Sequence, residues 1–200
     1  MKKPFKITAY SGLAYLVCLF LIFIFPSLFY TETLGGKLFS LIQVGVSVLF
    51  SFGTIMLGKR FKSKLLVRMS YIVIMTNILL LLFSLFPSFF VGNEALQSFD
   101  IKNPAFDQAP SSFKYFLSTF WIISIVLGIV SILFGVALIK ISKNIKYAKS
   151  AGVLNIIAGA TLIILIGYLI MIAAIIMEIL LLFEASEKFE ERDNKKKKRK

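Results

Sequence analysis

From Ala151 to Phe183 the chain reads AGVLNIIAGATLIILIGYLIMIAAIIMEILLLF, thirty-three residues with one charge, Glu178. A helix rises about 1.5 Å per residue and a bilayer core needs about 20 apolar residues to be crossed, so this stretch can span a membrane with turns to spare. Gly152, Asn155, Gly159, Gly167, Ala174 and Glu178 follow one another at steps of 3, 4, 8, 7 and 4. At about 100° per residue they stay on one broad side, which can pack on other helices while Leu, Ile and Met face lipid. Composition agrees with a membrane protein: 58% of the 200 residues are hydrophobic and only 16% are charged, where a soluble domain is nearer half apolar and about a quarter charged.

Four further apolar segments precede this one. The first runs from about 7 to 30, after Lys2, Lys3 and Lys6. It is longer than the roughly 7–15 residues of a signal-peptide core and no small-residue cleavage site follows it, so it reads as an uncleaved span. The second covers about 38–58 and the third about 65–91, joined by Lys59-Arg60-Phe61-Lys62-Ser63-Lys64, a basic turn without an acid. Residues 92–114 form the one substantial loop, too short for a core of its own. The fourth span covers about 115–139, and Lys140, Lys143, Lys146 and Lys149 follow it. The fifth is placed at 151–177. Residues 184–200 are charged, ending in Lys195-Lys196-Lys197-Lys198-Arg199-Lys200, and read as frayed helix and then a disordered tail. The fold class is therefore an all-α integral membrane helical bundle of about five transmembrane helices.

The charges orient it. Lys2, Lys3, Lys6, Lys59, Arg60, Lys62, Lys64, Arg68 and the four lysines after Ile139 fall on one side, with no acid among them before the tail. The other side holds Lys37, Lys102 and Lys114 against Glu32, Glu94, Asp100 and Asp107. Basic loops face the cytoplasm, which puts the N-terminus inside a cell membrane. Five spans then leave the lysine-rich tail outside. A hairpin turning near Gly167 would return it inside, but two legs of about 16 residues fall short of the usual span. A third option lays the segment partly in the interface. Five full spans are the favoured reading.

Few residues here can carry chemistry. There is no His, which removes the commonest general base and metal ligand, and Cys18 alone allows neither an internal disulfide nor a cysteine zinc site. No catalytic residue, metal site or cofactor is expected. Glu178 is a candidate proton or cation site, because ionisable groups at membrane depth are rare and often functional. The favoured reading is the plainer one, that the crossing ends near Ile172 to Met177 and Glu178 sits at the interface. Asn155, Asn77 and Gln43 are candidates for a polar path, or for single interhelical hydrogen bonds of about 1 kcal/mol each. Ser124, Gly128, Ser131 and Gly135 fall at steps of 4, 3 and 4 and read as a packing stripe, set against the face of Gly152, Gly159 and Gly167. Lys59, Arg60, Lys62, Lys64, Lys140, Lys143, Lys146 and Lys149 are candidates for anionic lipid head groups. The net charge of +13 is explained by membrane topology rather than by nucleic acid.

The run KYAKSAGVLNIIAGATLIILIGYLIMIAAIIMEILLLFEAS, Lys146 to Ser186, resembles the last segment of small uncharacterised multi-pass proteins of archaea and bacteria. That resemblance covers about a fifth of the chain and implies a place in the cell membrane and no more. The function expected from the residues is non-enzymatic: a small integral membrane protein working through helix packing, with a membrane-protein partner or as a homo-oligomer. The alternative is a small oligomeric transporter or channel using Glu178 and the intramembrane amides.

Overall fold

The computed structural model describes residues 2–25, 34–85, 111–164 and 166–197. They form six α-helices: α1 (Lys2–Ile24), α2 (Leu34–Arg60), α3 (Lys64–Leu85), α4 (Ser111–Ile141), α5 (Lys146–Thr161) and α6 (Ile166–Lys197), with a single 3₁₀ turn, Leu162–Ile164, between the last two. Five of them, α1, α2, α3, α4 and α6, are long and apolar enough to cross a membrane. The outer ends expected for the first and third spans, 26–30 and 86–91, and most of the loop, 92–110, lie outside the described residues.

Each helix packs on the next in sequence and α6 closes back on α1, giving an up-and-down ring of six. The turns at one end are tight. At the end of α2, the Ser63 amide donates to Gly58 O at 2.8 Å while Lys62 takes a left-handed conformation at φ 54°, which satisfies carbonyls the helix leaves open. Ser63 then starts α3 through a contact from the Leu66 amide to its Oγ at 3.4 Å. Pro4 sits in the first turn of α1, where the missing amide hydrogen costs nothing.

The last third of the chain departs from the sequence reading. A single continuous fifth span over 151–177 does not form. The helix begins at Lys146, breaks at 162–165 and folds back, so that α5 and α6 are an antiparallel hairpin. Two contacts fix the register: the Lys146 and Tyr147 amides donate to the Glu184 carboxylate at 2.8 and 3.1 Å, and Asn155 meets Glu178. The first leg, α5, is sixteen residues long and is not among the five helices long and apolar enough to cross a membrane. Gly167 belongs to this turn, not to the α4 seam. A Cβ there would lie 2.5 Å from Ala158 O and against the Leu162 amide. The tail also differs from expectation: α6 stays helical through Lys197.

The return of α6 brings the basic segments together. Phe189 on α6 packs on Phe5 of α1 and Phe61 after α2, with ring centroids 5.4 and 5.8 Å apart, and Arg60 lies 5.0 Å over its ring. Lys188 Nζ donates to the Asn144 carbonyl in the α4–α5 turn. The start of α1, both basic turns and the beginning of the tail thus share one end of the bundle. The core is concentrated in that half. Leu57, Leu66, Leu138, Leu181, Leu182 and Ala185 are each fully enclosed there.

Candidate functional site

Glu178 lies inside the apolar span of α6, Ile166–Phe189, and six residues, about 9 Å, from Glu184 at the basic end. It is 7% exposed. Its carboxylate Oε1 accepts a hydrogen bond from Asn155 Nδ2 on α5 at 2.7 Å. The second hydrogen of that amide goes to Ala151 O at 2.9 Å. On the far side of Asn155, Ser131 Oγ of α4 lies 2.8 Å from the Asn155 backbone carbonyl, to which it donates, and 3.3 Å from Oδ1. A flipped amide would set Oδ1 against the carboxylate and a carbonyl, so the network fixes its orientation. Tyr15 of α1 is within electrostatic reach of the same carboxyl.

The seam that carries Ser131 and Asn155 is built from glycine. A Cβ on Gly128 would lie 2.6 Å from Gly159 O, and one on Gly152 would lie 2.6 Å from Gly135 O. The reciprocal contacts, Gly159 on Gly128 O and Gly135 on Gly152 O, are closer still. The two pairs sit seven residues apart on each helix, above and below the Ser131–Asn155 bond. No residue with a side chain fits at that backbone separation without a shift. Ser124 lies one turn further along α4 and pairs with Tyr168 OH of α6 at 3.1 Å.

Asn77 and Gln43 do not join the Glu178 network. Asn77 Nδ2 donates to Val73 O of its own helix at 3.0 Å, and Gln43 is half-buried on α2. Their helices meet instead through a buried bond between Thr54 and Ser70 hydroxyls at 2.8 Å, a pair that neither residue's local pattern singles out. Sequence reasoning also passed over Glu184, which caps α5 from another helix; a carboxylate at a helix N-terminus is favoured by its free amides and dipole. The candidate head-group residues Lys59, Arg60, Lys62, Lys64, Lys140, Lys143, Lys146 and Lys149 are all exposed at the basic end.

Chemically, the site offers one carboxyl with a fixed amide donor. Asn155 turns its hydrogens, not its oxygen, toward Glu178. Metal cations need several converging oxygens, and among the described residues no group of three His, Cys, Asp or Glu could hold one. The arrangement suits a proton. Comparison with known protein families, with curated proteins and with solved structures finds no match for this chain.

Proposed function

We propose that the chain is a small non-enzymatic membrane carrier that takes up and releases a proton at Glu178. The observation that carries this reading is the Glu178–Asn155 hydrogen bond, which sets a carboxyl at membrane depth with no cation beside it in the bonds that hold it. Such a group is costly to keep in a bundle, and a purely structural role would be met as well by an apolar side chain. The competing reading is an interaction subunit; the small-residue stripe adds nothing to it, being taken up within the chain as expected, Gly128 and Gly135 against Gly159 and Gly152.

The same proposal includes orientation and lipid. An even number of crossings puts both termini on the lysine-rich side, which the positive-inside tendency assigns to the cytoplasm. There the exposed lysines suit anionic head groups, at about 1 kcal/mol per residue near the surface.

The test is proton flux into liposomes under a pH gradient, read with an entrapped pH dye. Glu178→Gln keeps the size and an acceptor oxygen for Asn155 but cannot carry the proton. Its flux is expected to fall to that of protein-free vesicles. Flux equal to wild type removes Glu178 from the function.

A further inference from the structure

Asn155 Nδ2 lies between two oxygens, donating to Glu178 Oε1 at 2.7 Å and to Ala151 O at 2.9 Å. From that position a cation would touch the carboxylate and the carbonyl together, and an amide nitrogen fills it. Its hydrogens offer the carboxylate the positive end of a dipole without adding a net charge. The orientation holds in both charge states of Glu178. With the carboxylate ionised, a flipped amide would set Oδ1 against Oε1 and Ala151 O. With the carboxyl neutral, its O–H could donate to a flipped Oδ1, but Ala151 O would still face that oxygen and lose its donor. Oε1 therefore goes on accepting from Nδ2, and the proton is held at Oε2.

Nor can Asn155 step aside. A Cβ on Gly135 of α4 would lie 3.1 Å from Asn155 Cβ, so the helix behind it is in close contact. Ser131 Oγ donates to the Asn155 carbonyl at 2.8 Å, and the two glycine pairs hold α5 to α4 on either side of that bond. In front, Glu178 stands on α6 among Ala174, Ile175, Ile179 and Leu182, all buried. An ion reaching this carboxyl would have to exchange its water for protein oxygens. A proton needs only the oxygen it binds: one O–H bond forms and nothing is displaced.

Resting on the carrier reading above, we infer that Asn155 is the specificity-determining residue of the Glu178 site: its amide occupies the place of an alkali-metal ion and so limits the site to protons. Asn155→Ala removes that occupant and leaves the Glu178 carboxylate, Ala151 O and Ser131 Oγ around its place. Asn155→Asp keeps the shape and puts an oxygen where the nitrogen stood. Either change turns a site closed to cations into one where a cation and a proton compete for the same carboxylate.

Potassium is the probe, because its contacts to oxygen are close to hydrogen-bond lengths. Proton flux into liposomes is compared in potassium chloride and in N-methylglucamine chloride, each at equal concentration on both sides. Binding of tracer potassium is measured on the full chain in detergent. Wild type is expected to give the same flux in both salts and to bind no potassium. Asn155→Ala should lose flux in potassium, keep it in N-methylglucamine and bind the tracer, and adding Glu178→Gln should abolish that binding. Asn155→Asp should behave in the same way, and it carries the test if the alanine variant folds poorly. Potassium bound by wild type at Glu178, or folded variants indifferent to potassium, overturns the inference and leaves the carrier reading standing. Wild-type flux that survives Glu178→Gln overturns the carrier reading, while the binding measurement, which needs no transport, still decides the role of Asn155.

Discussion

Asn155 and Glu178 are twenty-three residues apart. On the single straight helix that the hydropathy suggests they would stand at the two edges of one broad side, about 140° apart around the axis and about 34 Å along it; in the hairpin they are 2.7 Å apart. Residue types on a polar face were therefore legible, and their pairing was not, because pairing depended on a turn elsewhere. The α4 stripe was easier. Its steps of 4, 3 and 4 need only helical periodicity, and Gly128 and Gly135 lie on that face against Gly159 and Gly152. The strength of this seam can be measured. Gly135→Ala places a methyl against the Gly152 carbonyl and is expected to cost roughly 1–3 kcal/mol, as overpacking does. Gly45→Ala, with nothing within 4 Å of the added carbon, should be neutral or stabilise by up to about 1 kcal/mol through helix propensity. Unfolding of both variants in mixed micelles gives the comparison, and equal stabilities would mean the α4–α5 contact is loose in solution.

The six helices were mostly visible as apolar blocks with basic turns between them. The α5–α6 break was not. Neither proline nor glycine lies within 162–165, and the local marks are weak: β-branched Thr161, Ile163 and Ile164, with Gly167 just beyond. Counting apolar letters from Ala151 also hid the length of the first leg, since Lys146 to Ser150 are helical but polar enough to look like loop. What holds the hairpin at its open end is Glu184, which bonds two amides at the start of a helix that has no side-chain cap of its own. Glu184→Ala is expected to cost about 1 kcal/mol, typical of a lost cap, and to speed hydrogen exchange at Lys146 and Tyr147. Glu184→Gln, which keeps a single acceptor oxygen, should fall between. Unchanged exchange at both amides would show that another group caps α5.

At the scale of the whole molecule, the hairpin resolves a conflict that no single residue could. Five crossings would separate the tail from the other basic segments; the ring of six instead sets Phe189 against Phe5 and Phe61. Charge and packing then agree: the end rich in lysine is also the end with the enclosed core, and α6 runs on as its brace through Arg60, Phe189 and Lys188. Which apolar residues face lipid and which face the core was not legible, because hydropathy scores an apolar residue alike in either setting. The topology itself has a direct test in intact cells. With Cys18→Ala as background, Lys37→Cys at the far end of α2 should react with a membrane-impermeant thiol reagent. Lys143→Cys in the α4–α5 turn and Glu187→Cys on α6, all three positions being exposed, should react only after lysis. Glu187 reacting together with Lys37 would mean that α5 does not cross. Asn155 would then be unable to reach Glu178 within the membrane, and the carboxyl would lose the partner on which the proton-carrier reading rests.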